Sequence, residues 1–308
     1  MRFPGSPYSL REFAGMAWRR FSPVPPWGDA PVARHLDRHP HRAPDRWIGF
    51  VGDLCPLDGR DARYAEAVHA FFDDCALLVG NLEGVFTKQR GRPFRLKHTP
   101  SIFDAMARLK PLRQWVVSLA NNHAADFGPP ALRTTTARLN RHGIRWLGTR
   151  EHPTLTVPEA GLALAAWTWW SNRRTTLLPR RDPGAPEAAS APLARVALPH
   201  WGYEHERRPR SNQRHRLPLN YELVAGHHSH LPQPLEDVTD GPLVAWSLGN
   251  FLTAKTLPVL GEGALLKIGL AHPPDAPPVV AEARYQAVRL DRTAPRQCRV
   301  HPRSSGTE

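Results

Sequence analysis

Five short polar clusters, each at the end of an apolar run, restrict what this chain can fold into. They are Gly52-Asp53, Asn81-Leu82-Glu83, Asn121-Asn122-His123, His200-Trp201-Gly202 and Gly226-His227-His228-Ser229-His230. The apolar runs before them read as buried strands. Carboxylates, amides and imidazoles therefore collect at strand ends along one edge of a sheet, where ligands bind in layered α/β proteins. Oxygen and imidazole donors without paired thiolates suit Mn, Fe or Zn acting on water. The residues point to a metal-dependent hydrolase with two divalent ions.

Composition sets the bounds. A chain of 308 residues, 41% hydrophobic, is long enough to bury a real core. Its 33 Pro gather at the two ends and in one internal stretch. Three cysteines, Cys55, Cys75 and Cys298, make neither a disulfide framework nor a paired-thiol metal site, which favours a reducing compartment. No stretch approaches the roughly 20 apolar residues of a membrane span, and the proline-rich run after Arg19-Arg20 is no signal-peptide core. The expected location is the cytoplasm. The net charge of +13 invites nucleic acid as a partner, but only five of the 41 basic residues are Lys. Such an Arg excess reflects coding composition as readily as a binding face, and much of it lies in the ends. An anionic small molecule, peptide or polymer is the preferred substrate, and nucleic acid is disfavoured.

Along the chain, residues 1–45 read as an Arg- and Pro-rich arm, wrapped on the domain or partly disordered, with a short helix near 10–18. Residues 46–291 read as the catalytic domain and 292–308 as a basic tail. Helices are expected over 61–73, 101–109 and 130–142, the last stopped by Gly143. Strands are expected at 47–51, 76–79, 115–119 and 144–147, then at 162–169, 195–199, 222–225, 242–248, 264–271 and 283–290. The Arg- and Pro-rich segment 171–194 reads as a long loop near the site edge.

Each cluster has a chemical and a bland reading. Residues two apart in extended backbone point the same way, so His228 and His230 converge while His227 points elsewhere; the alternative is a fortuitous His-rich loop. His200 alone would pass as a structural histidine, and gains weight from its place in the series. Asn121 and Asn122 suit a turn as well as a metal site, and the neighbouring His123 can donate a proton to a leaving group. Asp53 and Glu83 supply the negative charge that a pair of dications needs, and Asp53 also suits a cap. A carboxylate bridging two ions about 3.5–4 Å apart lowers the pKa of the water between them. Asn172, after Trp169-Trp170-Ser171, lines the pocket or merely packs, and Asn250 supports a ligand or merely a turn. Lys97-His98 and the arginines 173, 174, 180 and 181 bind anions or form a solvated charge run. There is no Gly-rich phosphate loop and no nucleophile elbow.

The order of these motifs, with Ser118-Leu119-Ala120-Asn121-Asn122-His123-Ala124-Ala125-Asp126-Phe127-Gly128, His200-Trp201-Gly202-Tyr203-Glu204, Gln233-Pro234 and Ser247-Leu248-Gly249-Asn250-Phe251, resembles the CapA family of poly-γ-glutamate capsule proteins. The resemblance covers about residues 47–252. It implies the calcineurin-like metallophosphoesterase fold, an α/β four-layer αββα sandwich of two β-sheets flanked by helices. It implies that Asp53, Glu83, Asn122, His200, His228 and His230 hold the metals, that Glu83 bridges them, and that His123 is the acid, acting with Asp53. Asn81, Asn121, His227, Asn172 and Asn250 then support the ligands or touch substrate. Two departures stand out: Cys55 occupies the position of the superfamily's first-motif His, and the family's usual membrane anchor is absent.

The leading expectation is a hydrolase that uses a metal-activated water on a phosphoester, a γ-glutamyl peptide or an acidic polymer, in poly-γ-glutamate, capsule or related biosynthesis. The alternative is a non-catalytic metal-binding accessory protein of a polymer or peptide ligase complex, working with biosynthetic partner proteins. Intact His123 favours the enzyme; Cys55 favours the accessory role.

Overall fold

Alternation along the apolar runs divides their side chains between two faces, and two sheets result. The computed structural model describes residues 6, 8–21, 30–186, 192–273, 277–294 and 296–303. In chain order the elements are α1 (Leu10–Phe21), β1 (Ala33–Asp37), β2 (Arg46–Leu54), β3 (Asp61–Tyr64), α2 (Glu66–Phe72), β4 (Cys75–Leu82), α3 (Ser101–Leu109), β5 (Trp115–Ser118), α4 (Pro129–Arg141), β6 (Arg145–Leu147), β7 (Thr154–Val157) and β8 (Leu162–Thr168). They continue with β9 (Ala194–His200), α5 (Ser211–Arg214), β10 (Leu223–Ala225), β11 (Leu235–Asp237), β12 (Leu243–Ala245), β13 (Asn250–Leu252), β14 (Glu262–Ala271), β15 (Val279–Asp291) and β16 (Gln297–Pro302).

The first sheet runs β3-β16-β15-β14-β2-β4-β5-β6, with β1 on β15 and β13 on β2. The second runs β11-β12-β10-β9-β8-β7. At the centre of each lies a parallel block: β2, β4, β5 and β6 in the first, and β8, β9, β10 and β12 in the second. Parallel strands end on the same edge, so Asp53, Asn81 and Ser118 reach one edge of the first sheet and His200 and Ala225 the matching edge of the second.

Period-two patterning shows directly in the core. Ile48, Phe50, Leu77, Val79 and Val116 face inward against Leu164, Ala166, Val196, Leu198 and Leu223 of the second sheet. Val51, Leu78, Trp115 and Val117 face outward, under Val68, Phe72, Phe103, Met106 and Leu139 of α2, α3 and α4. Helix α3 shows the matching helical period, with Ile102, Phe103, Ala105, Met106 and Leu109 buried. The outer face of the second sheet, with Trp167, Trp201 and Trp246, is covered by α5 and loops.

Two expectations need correction and one gains detail. Residues 33–37, in the expected arm, lie on the domain as a strand paired with β15, whereas residues 297–302, read as tail, lie between β15 and β3. Both are edge-region strands with few buried side chains, so their patterns are weak. The expected helix at 61–73 is a strand followed by a shorter helix, because Asp61–Tyr64 pairs with β16 from the far end of the chain. Part of the expected 171–194 loop, residues 187–191, lies outside the described residues. Among the described residues no helix is long and apolar enough to cross a membrane.

Candidate metal centre

The strand ends place two carboxylates at the junction of the sheets. Asp53, at the end of β2, accepts from Asn81 Nδ2 at 2.8 Å and from the His228 backbone N–H at 3.3 Å. Glu83, one residue beyond β4, is fully buried, and its Oε1 has no hydrogen-bond partner. Burial pushes its carboxyl up to about 7, despite the opposing charge of His230.

Glu83 is shared by two groups of side chains whose donor atoms lie close enough to hold a metal ion: Cys55, Glu83 and His230, and Glu83, His200 and His228. Around the first group, His230 Nδ1 lies 3.7 Å from Glu83 Oε2, 3.5 Å from Asp53 Oδ2 and 3.0 Å from Asn250 Oδ1. Cys55 Sγ sits 3.4 Å from Glu83 Oε2. Around the second, His200 Nε2 lies 3.9 Å from Glu83 Oε1 and 2.9 Å from Asn122 Oδ1. The His200 and His228 rings are 4.5 Å apart.

Electrostatics leaves two of the three histidines neutral for a cation. Burial holds the His228 imidazole down to about 3, and burial with neighbouring imidazoles holds His200 well below its usual range. Both are therefore neutral ligands. Burial opposes charge on His230 too, but Glu83 and Asp53 outweigh it and raise that imidazole well above its usual range, so it must give up a proton to bind a metal. Burial opposes ionisation of Asp53, but its bond to His230, with the His227 charge, outweighs it and keeps the carboxylate ionised. Burial drives the Cys55 thiol up to about 12, a cost that a bound dication would reverse. Glu83 Oε1 and His228 Nδ1 are buried polar atoms without partners, and a cation would satisfy both where Nδ1 carries no proton. Oxygen, imidazole and one thiol make a donor set that fits a divalent transition metal.

His123 lies beside the second group, at the mouth of the site. Its Nε2 is 3.9 Å from Glu83 Oε1 and its Nδ1 is 2.7 Å from Asp126 Oδ2. Burial pulls this imidazole toward neutrality, but the Asp126 carboxylate outweighs burial and raises it. Asn172 Nδ2 contacts both His123 Nδ1 and Asp126 Oδ1 at 3.1 Å. A cavity of about 480 Å³ opens here, lined among others by Asn122, His123, Asn172, Arg95, Lys97 and Lys255.

The structure brings Asp53, Asn81, Glu83, Asn121, Asn122, His123, Asn172, His200, His228, His230 and Asn250 together. Asn121 Nδ2 donates to Leu82 O at 2.9 Å and its Oδ1 takes the His123 N–H, so it shapes the turn that carries its neighbours. His227 points away, its Nε2 3.3 Å from Val51 O. His98 is buried against Phe86, whereas Lys97 faces the cavity. Arg173 leaves the solvated run to donate to Asp126 O at 3.3 Å.

The convergence of His228 and His230 arises differently from the expected extended backbone. Both residues have positive φ, 97° and 60°, and they enter different ligand groups. Such strained backbone persists where its surroundings over-determine it, characteristically at functional sites. Sequence reasoning assigned no role to Asp126 or Tyr8. Asp126 stands three residues after His123, within turn distance. Tyr8, whose hydroxyl lies 2.5 Å from His228 Nε2, carried no local signal.

The chain matches the family model for the bacterial capsule synthesis protein PGA_cap over residues 28–255. It is 24% identical over 228 residues to the PGA biosynthesis protein CapA of Bacillus subtilis (strain 168), covering 66% of this chain and 60% of that protein's length. The crystal structure of the calcineurin-like phosphoesterase YfkN from Bacillus subtilis aligns with 79% of this chain and 90% of its own, at 12% identity and a TM-score of 0.43. That likeness is too distant to carry an argument. The family match spans every proposed ligand from Asp53 to His230, and the chain belongs to the bacterial capsule synthesis protein PGA_cap family.

Proposed function

We propose that this chain is a metal-dependent hydrolase of an anionic substrate, a phosphoester or a γ-glutamyl or related acidic peptide or polymer, in capsule-type biosynthesis. One observation carries the reading: buried Glu83 is shared by two ligand groups, with a raised, partly accessible imidazole beside it. Cys55, Asp53, Glu83 and His230 would hold one ion, and Glu83, Asn122, His200 and His228 a second. Divalent ions bound there supply Lewis acidity and a water activated at neutral pH.

The chain's own groups do the rest. Asp126 and Asn172 orient His123 so that its Nε2 can give a proton to a leaving group at the cavity. Arg95, Lys97 and Lys255 offer positive charge to substrate carboxylates or phosphates. The three cysteines are free and buried, which supports the expected reducing, cytoplasmic setting.

A second reading, a non-catalytic accessory protein that binds carboxylates through its metal, is favoured by Cys55 standing in place of an imidazole. Metal content and turnover separate the two. We expect the tag-free chain to carry close to two equivalents of Mn, Fe or Zn by inductively coupled plasma mass spectrometry. His123→Ala should keep the metal and lose turnover on phosphoesters or γ-glutamyl peptides by about 10²–10⁴-fold. Equal turnover of His123→Ala and wild type would refute the catalytic assignment; metal without turnover on either substrate class would favour the accessory role.

A further inference from the structure

One side chain from outside the family-matched residues 28–255 reaches the ligand cluster. Tyr8 is 2% exposed, and its phenol oxygen lies 2.5 Å from His228 Nε2. Its ring packs edge-on to Trp170 at 5.0 Å and stacks with Tyr203 at 6.3 Å. Helix α1, which follows it, is fastened to the loop after β9. Arg210 holds both Glu12 carboxylate oxygens at 2.9 Å and also bonds Glu206. Arg19 pairs with Glu206 at 3.3 Å and donates to Glu204 O at 3.2 Å. Tyr8 is thus held on His228 by aromatic packing and by a charged clamp on the helix beyond it.

Proton bookkeeping gives the contact a meaning. A neutral imidazole has one N–H and one lone pair, and His228 Nδ1 is buried without a partner. If Tyr8 donated to Nε2, the ring proton would sit on Nδ1 and exclude a metal ion from it. In the other tautomer Nε2–H donates to the Tyr8 oxygen, which can accept this bond together with the Glu204 N–H at 3.2 Å. Nδ1 then presents a bare lone pair within the group formed with Glu83 and His200.

We propose that Tyr8 is a positioning residue for His228, fixing the tautomer and ring orientation that leave Nδ1 free for a metal ion. Residues 8–21 thereby become part of the metal centre. The proposal rests on the metal-site reading above. Metal-bound histidines give their other N–H to an oxygen, and loss of that partner typically costs 10–100-fold in metal affinity.

The test uses the full chain with Zn²⁺ as the probe. Tyr8→Phe keeps the ring and removes only the oxygen. Chelator competition should show its Zn²⁺ affinity lower by about 10–100-fold at the site that His228→Ala abolishes. Thermal unfolding of the metal-free variant should show a folded chain, with a midpoint lowered only by the loss of the Glu204 N–H acceptor. Long-range ¹H–¹⁵N spectra of the Zn²⁺-loaded wild type should show His228 protonated at Nε2 alone, a readout that survives even if the variant folds badly. Wild-type affinity in Tyr8→Phe, or a His228 proton on Nδ1, overturns the role of Tyr8 while leaving the metal centre standing. No Zn²⁺ uptake by the wild-type chain overturns the metal centre and this proposal together.

Discussion

Whether His123 holds a proton at neutral pH depends chiefly on Asp126. The carboxylate lies 2.7 Å from Nδ1 and is itself held by the Leu96 N–H at 3.0 Å and by Asn172. Burial works against the charged imidazole, and the Asp126 charge and hydrogen bond outweigh it, so the folded protein keeps this proton to higher pH than a free histidine does. An acid with a raised pKa retains its active form as pH rises. Asp126→Asn removes the charge and keeps the shape, so the imidazole should lose its proton at lower pH. We expect turnover at pH 7.5 to fall about 10–100-fold and the alkaline limb of the pH–rate profile to move to lower pH, with metal content unchanged. An unmoved limb would mean that His123 is not the group whose protonation governs turnover.

At the scale of elements, the close approach of β10 to the chain after β12 positions the histidine cluster. The φ of Gly226 is not in the left-handed region, so what this glycine provides is room. A Cβ there would lie 2.1 Å from Trp246 O and 2.6 Å from the Trp201 indole nitrogen. Trp201 follows His200 and stacks on Trp246 at 5.3 Å. Gly226→Ala should therefore destabilise the fold by about 1–3 kcal/mol and displace His200 and His228 together. Urea unfolding should show the lower midpoint, and the purified variant should carry less metal; a wild-type midpoint would mean that these strands yield without cost. The same region shows what could be read from the sequence. An apolar run closed by a polar cluster is a local signal, so β2, β4, β5, β9 and β10 and the gathering of polar side chains at their ends were legible. Helix α3 was legible from its apolar stripe. The strands β1, β3 and β16 were not, because each pairs with residues distant in sequence and buries little. The positive φ of His228 and His230 is imposed by packing, and the Tyr8 contact joins residues 220 apart. No window on the sequence contains such a pair.

At the scale of the whole molecule, the centre lies where two separate sheets meet. Glu83, Asp53 and Asn122 come from the first sheet, and His200, His228 and His230 from the second. Without a cation, this junction buries a carboxyl pushed up to about 7 beside a second carboxylate, with two unpartnered polar atoms. An ion bound there neutralises the charge and ties the sheets across that edge, so it binds the native state far better than the unfolded chain. An ion present at 100 times its dissociation constant stabilises by about 2.7 kcal/mol. Domains of about 150–250 residues gain roughly 2–4 °C in Tm per kcal/mol. Removing metal with EDTA should therefore lower the Tm by at least about 5 °C, and excess Mn²⁺ or Zn²⁺ should restore it. His228→Ala should start with a lower Tm than wild type and lose less on chelation, since one of its ligand groups is already broken. If EDTA leaves the wild-type Tm unchanged in protein shown to have carried metal, the ions lie elsewhere and the junction of the sheets is held by its hydrogen bonds alone.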